Sequence, residues 1–396
     1  MHSRQQDRTA SHLRLIRLLS PVEIVALAAL SWGLFFTHLA GRRFYWLARE
    51  NLELFSMMLL WYVPCLAVRY AARLFSWRRR TARMLYLAYY VILSVFLMGS
   101  NLVTALVSLR AAGTSAVAVR LIGRVDLALA AVVVVCLLIA GKRDPRRAWQ
   151  LTRAELSDLL WGLRLLISLA VVFSVYSNLK AIIPVLRPGL WDGLLYRLDR
   201  ALFLGRDPLA LLASITSPHF RLLMIRSYYC LFFFLLFGLS GAFVFGTRHD
   251  FLKVLLGLQL TYLLGLVGYY LIPSVGPAFY NETWHLFTAT SSEELKTGLY
   301  RLYCMMCEAP ATTPVDIFQG LAAFPSLHVA IMGLFLYHLW RLEKVLVWLL
   351  IIPTVLLTVS TIYLGWHYVV DIPAGLVVTV AAVFLADHLL REKPPA

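Results

Sequence analysis

Unbroken apolar runs constrain this chain more than any other feature. They lie at about 22–40, 52–68, 84–108, 125–141, 161–183, 227–246, 254–273, 326–340, 345–364 and 368–390, and a helix needs about 20 apolar residues to cross the hydrocarbon of a bilayer. Within the runs polar and apolar residues do not alternate, which argues against a membrane β-barrel. No period of about 20 to 50 residues repeats, so a solenoid is also excluded. The expectation is an all-α, polytopic integral membrane protein with about ten transmembrane helices. Composition agrees, with 60% hydrophobic and 15% charged residues and a mean hydropathy of +0.74, far from the averages of soluble domains.

The 37 Lys+Arg against 21 Asp+Glu raise the question of an acidic partner, but in so apolar a chain the position of the charges relative to the membrane comes first. Residues 1–21, 69–83, 142–160, 247–253, 341–344 and 391–396 hold 21 Lys/Arg in 72 positions; the alternate loops hold 14 in 125. By the positive-inside rule both termini are then cytoplasmic and the long loops 184–226 and 274–325 face outward. No nucleic-acid partner is expected. The Arg-containing start, Arg4, Arg8, Arg14 and Arg17, precedes an apolar run without an evident small-residue cleavage site, and reads as a retained first membrane helix.

A break falls at Lys142-Arg143-Asp144-Pro145-Arg146-Arg147, where Pro and dense charge end the fourth run. Residues 1–150 read as an accessory set of about four helices, almost without polar residues suited to chemistry beyond Asn101, Thr104 and Asp126. Residues 151–396 read as the catalytic part, with six spans. In loop 184–226, the apolar residues of 191–205 recur at helical spacing between charged ones, the pattern of a short amphipathic helix lying in the interface. Cys65, Cys136 and Cys230 fall in expected spans as packing residues. Cys304 and Cys307 stand in an outward loop, where a local disulfide and two idle thiols both remain open.

The chemistry concentrates at the end of the chain. His367 and Asp371 are four apart, which places them on one face of the last helix's first turn. A carboxylate bonded to one imidazole nitrogen sets the tautomer and leaves the other nitrogen a better nucleophile or base. Pro325 and Ser326 precede His328 where a helix should begin, and free N–H groups at such a start attract anions. Phosphate would be held there by backbone and by the Ser326 hydroxyl, with His328 donating a proton to the leaving oxygen. The structural alternative is a hydrogen-bonded His367–Asp371 pair and a Ser326 that only caps its helix.

At these residues the chain resembles the type 2 phosphatidic acid phosphatase superfamily of membrane enzymes. Its Pro-Ser-Gly-His motif appears as Pro325-Ser326-Leu327-His328, and its last motif as Ser360-Thr361 with His367 and Asp371. Tyr363, Trp366-His367-Tyr368 and Gly375, with Tyr269 through Pro277 upstream, look more like the branch of the inositol phosphorylceramide synthases. The resemblance covers roughly residues 160–390. It implies a six-helix core and a phosphohistidine mechanism, in which His367 attacks phosphorus, Asp371 steadies it, His328 protonates the departing alkoxide and Ser326 holds a phosphoryl oxygen. Two departures stand out, Thr361 in place of the superfamily's Arg and Leu327 in place of Gly.

The superfamily's first motif, Lys, six residues, then Arg-Pro, occurs as letters at Lys180 to Arg187-Pro188, yet at the end of the first core helix instead of the third. Lys180 and Arg187 are therefore candidates to bind phosphate or, alternatively, interfacial anchors; Tyr270, Pro277 and Arg301 are further substrate-binding candidates. A facial triad of His328, His367 and Asp371 is conceivable for a metal, but no other outward acidic cluster supports one, and neither metal nor cofactor is expected. Fewer cations suit a phosphodiester, with about one negative charge against nearly two on a monoester. The expectation is a lipid phosphotransferase at the extracytoplasmic face of the cell membrane, moving a phosphoalcohol from a lipid donor to a lipid or polyol alcohol. A lipid phosphate or diphosphate phosphatase, with water as acceptor, is the second reading. A non-catalytic scaffold or transporter is the third, although a transporter would place its ionisable residues nearer mid-membrane.

Overall fold

The computed structural model describes residues 19–42, 44, 84, 145–280, 282–283, 285, 293–310, 313 and 320–391. The expected spans at 52–68, 84–108 (beyond Met84) and 125–141, with Asn101, Thr104 and Asp126, lie outside them. The described elements are all helical, and no strand occurs among the described residues. They are α1 (Pro21–Leu39), α2 (Pro145–Ala181), α3 (Ile183–Leu186), α4 (Asp192–Leu202), α5 (Pro208–Ala213), α6 (Pro218–Phe245), α7 (Arg248–Leu271), α8 (Glu293–Glu308), α9 (Leu327–Leu342), α10 (Lys344–Tyr363) and α11 (Asp371–Leu389).

Five described segments, in α1, α2, α7, α10 and α11, are long and apolar enough to cross a membrane, which marks a membrane-embedded protein. α9 is shorter, and at about 1.5 Å per residue its 16 residues reach about 24 Å, less than the ~30 Å of bilayer hydrocarbon. Local signals explain the starts. Ser20 and Glu23 form a capping box on α1, and Thr247 and Asp250 form one on α7, each satisfying N–H groups that a helix start leaves free. Pro218 opens α6 behind the capping residue Ser217, so this helix begins earlier than its apolar run and shortens the expected loop 184–226.

α7 packs against α2, α6, α9 and α11, while α6 and α11 also pack on α9, and α10 covers α6 and α9. α1 docks on α2 and α7, and Glu23 of α1 pairs with Arg164 of α2, the kind of partner that an ionisable group within an apolar segment requires. The connections place the C-terminal ends of α2, α7 and α10 at the same end of the bundle as the N-terminal ends of α9 and α11. There the Tyr270 hydroxyl donates to the Leu179 carbonyl at 2.7 Å, Ser326 N–H donates to the Asp371 carbonyl at 3.1 Å and Ala323 N–H to Ser274 at 3.0 Å. The opposite end holds the ion pairs Arg248–Asp158 and Lys253–Asp387.

The expected outward loops are more structured than the sequence indicated. α4 lies where an amphipathic helix was expected, but α5 and α8 are additional. α8 carries Cys304 and Cys307, which are therefore helical residues three apart instead of loop residues, and both are free thiols.

Candidate functional site

The Pro325-Ser326 segment is held by close approach on two sides. A Cβ on Gly268 of α7 would lie 2.3 Å from Pro325 Cδ, and one on Gly375 of α11 would lie 2.4 Å from the Ser326 carbonyl oxygen. Only residues without side chains let these two helices come so near the motif. His328 is then the second residue of α9, not a full turn inside it, and Ser326 is the N-cap residue but makes no side-chain capping bond. Its hydroxyl is buried without a partner, which sets aside the reading of Ser326 as a simple cap.

His367 does not belong to the last helix. It lies in the turn before it, where its N–H and that of Trp366 both donate to the Thr361 carbonyl, at 3.2 and 2.9 Å, and Asp371 is the first residue of α11. The expected contact forms nonetheless, with His367 Nδ1 3.2 Å from Asp371 Oδ2, an oxygen that also accepts Tyr368 N–H at 2.9 Å. With Nδ1–H donating to the carboxylate, His367 Nε2 bears the lone pair, and it lies 2.9 Å from His328 Nδ1. The order His328, His367, Asp371 is thus a hydrogen-bonded line with the lone-pair nitrogen of His367 in the middle. Ser326 and Asp371 are 0% exposed and His367 3%, so these three side chains are shielded from bulk water.

Aromatic rings cover this line. Tyr228 of α6 lies 5.0 Å from the His328 ring and stacks on Trp366 at 5.4 Å, and Trp366 touches Phe279 at 5.6 Å. The Trp366 indole nitrogen is buried without a partner. Tyr228 escaped the sequence reading because the pair Tyr228-Tyr229 at the start of an apolar run carries no signal of its own.

The remaining candidates separate. Lys180, in the last turn of α2, has its ammonium 5.9 Å from the rings of Tyr176 and Tyr269, and its charge reaches His328. Arg187 is exposed beyond the end of α3, and Arg301 is exposed on α8. Tyr270 spends its hydroxyl on Leu179, and the Pro277 carbonyl accepts the Thr283 hydroxyl at 2.6 Å. Thr361 is buried, its hydroxyl donating to the Thr358 carbonyl at 2.7 Å. Among the described residues, no group of three His, Cys, Asp or Glu side chains is arranged to hold a metal ion.

Two residues that the sequence placed only among the charged positions of the 191–205 helix lie beside the site. Asp192 and Asp199, on α4, are both 0% exposed. Burial raises the Asp192 carboxyl above its ordinary range, against the backbone N–H groups of Val275 and Gly276 that lower it. Burial likewise pushes Asp199 up to about 6, against the N–H groups of Val369 and Val370.

Comparison with known proteins gives one match. Residues 193–385 fit the family model of the PAP2 superfamily, a stretch that includes Ser326, His328, His367 and Asp371 and supports that superfamily for this part of the chain. No curated protein and no solved structure matches.

Proposed function

We propose that the protein is a membrane phosphotransferase that moves a phosphoalcohol headgroup from a lipid donor to an alcohol acceptor through a phosphohistidine on His367. The superfamily match indicates lipid phosphatase or phosphotransferase chemistry on lipid phosphate substrates. The observation that carries the reading is the line His328–His367–Asp371 at 2.9 and 3.2 Å. In the first step, His367 Nε2 forms a bond to phosphorus, the ester bond to the leaving alcohol breaks, and His328 gives that alkoxide a proton. In the second, His328 takes a proton from the acceptor hydroxyl, which attacks the phosphohistidine and frees His367. The substrate must part the two rings, since the lone pair that attacks is the one facing His328. Ser326 Oγ and the first N–H groups of α9 hold phosphoryl oxygens. Shielding from water favours an alcohol over water as acceptor; with water in its place, the same groups perform hydrolysis.

In this reading residues 151–396 are the catalytic part, with α2, α6, α7, α9, α10 and α11 as its six membrane helices, and residues 1–150 are accessory. Purified protein incubated with candidate phospholipids, with and without an alcohol acceptor, tests it by mass spectrometry of the products. A new phosphodiester lipid is expected; inorganic phosphate as the only product would make the protein a phosphatase, and no phosphoryl product with any lipid would remove the enzymatic reading.

The excess of Lys and Arg on alternate loops supports an extracytoplasmic site. Cys307 is exposed on α8, in the loop expected to face outward, and a membrane-impermeant maleimide is expected to label it in intact cells. Burial and the neighbouring Cys304 raise the Cys307 thiol, so labelling should quicken as pH rises. Labelling of Cys304 and Cys307 only after permeabilisation would reverse the orientation.

A further inference from the structure

α4 buries two carboxylates beside an apolar side chain. Asp192 and Asp199 are seven residues apart, two turns, and so share a face; that face, with Leu195 between them, is buried at 0–1% exposure, while Arg197, Leu198 and Arg200 are exposed. Taking a carboxylate out of water costs heavily unless its oxygens are well bonded, and here they are. Asp192 accepts Val275 N–H at 3.0 Å, Gly276 N–H at 2.9 Å and the Tyr368 hydroxyl at 3.0 Å. Asp199 accepts Val369 N–H at 2.8 Å and Val370 N–H at 2.9 Å. Asp207, by contrast, caps α5 and accepts the Tyr196 hydroxyl at 2.5 Å, with no bond to the His367–Asp371 turn among the described residues.

We propose that Asp192 and Asp199 are positioning residues of the reaction, which from α4 hold the His367–Asp371 turn, and the 275–276 loop beside it, in the reactive geometry. The proposal rests on His367 being the nucleophile. The bonded groups occupy every residue between the two: Tyr368 gives its N–H to Asp371 and its hydroxyl to Asp192, while Val369 and Val370 give their N–H groups to Asp199. α10 fixes only the start of the turn, through the Thr361 carbonyl, and α11 begins only at Asp371. The second loop is attached to the same turn by Ala278 N–H donating to the Gly365 carbonyl at 2.9 Å. Both carboxylates also feel the charge of Asp371, so they lie within electrostatic reach of the catalytic pair.

The test uses the full-length protein in lipid vesicles with Asp199→Asn, Asp192→Asn and Tyr368→Phe. An Asn keeps the shape but turns an amide NH2 toward one of the two N–H groups, so one bond is lost and two donors oppose each other. Asp199→Asn is expected to lower kcat about 10- to 100-fold, as a small misplacement of reacting groups does, with KM within about twofold and faster amide exchange at 369–370. Tyr368→Phe removes one hydroxyl and leaves Asp192 its two backbone donors; it is expected to lower kcat by less, and to add nothing when combined with Asp192→Asn. Unchanged kcat in Asp199→Asn with accelerated exchange would overturn the positioning role of Asp199, and unchanged kcat in Tyr368→Phe that of Asp192, even if the Asn variants do not fold. His367→Ala is the control: activity that survives it brings down the nucleophile assignment itself, whereas an inactive His367→Ala beside a fully active Asp199→Asn brings down the positioning role alone.

Discussion

His367→Ala is expected to abolish turnover together with any acid-labile phosphoenzyme. In the proposed mechanism the attacking nitrogen is removed, and neither neighbour in the line is placed to stand in. Among the described residues His328 has no carboxylate partner of the kind that Asp371 gives His367 across 3.2 Å, and Asp371 is wholly buried. Loss of a covalent nucleophile commonly costs several orders of magnitude, so the residual rate should be indistinguishable from that of the empty vesicle. His328→Ala should behave differently, slowing the first step most for poor leaving groups, because protonation matters least where the alkoxide is already stable. A phosphoenzyme formed normally by His367→Ala, trapped and mapped by mass spectrometry, would move the nucleophile elsewhere.

Lys180→Met is expected to lower kcat/KM on the order of a hundredfold, the usual effect of deleting a positioned group that stabilises developing charge. Met keeps an unbranched stem among Tyr176 and Tyr269 and removes only the ammonium. Among the described residues Lys180 pairs with no carboxylate, so its charge is available to an incoming phosphoryl group, and it already acts on His328. Arg187→Ala should cost far less, since Arg187 is exposed past the end of α3. The reverse result, near-normal activity in Lys180→Met with a large loss in Arg187→Ala, would show that the substrate's phosphate lies nearer the protein surface.

The letters of the Lys-to-Arg-Pro motif could not make that distinction. Both residues end the same apolar run and both carry a positive charge, yet one faces the histidine line and the other faces outward. His367 shows the complementary case. Its spacing to Asp371 matched a helical turn, and the contact exists, but the backbone that makes it is a turn held by the Thr361 carbonyl. The His and Asp were legible because few residue types do this chemistry and the resemblance named them. Tyr228, Asp192 and Asp199 were not, because a Tyr in an apolar run and an Asp on an amphipathic helix have ordinary explanations that the sequence cannot reject.

What the sequence determined by itself is a property carried locally along the chain: apolar runs of spanning length and the Pro-Ser and His-Asp letters at their mouths. Helix formation depends on neighbours a few residues away, so it can be read in one dimension. The tertiary structure decided which groups meet. His328 and His367 are 39 residues apart and 2.9 Å distant, and Asp199 receives the N–H groups of residues 170 and 171 positions away. A hydrogen bond acts over about 3 Å whatever the separation along the chain. The inward turn of α4's carboxylates was therefore set by the partners that folding brought to them, not by the polarity of the helix that carries them.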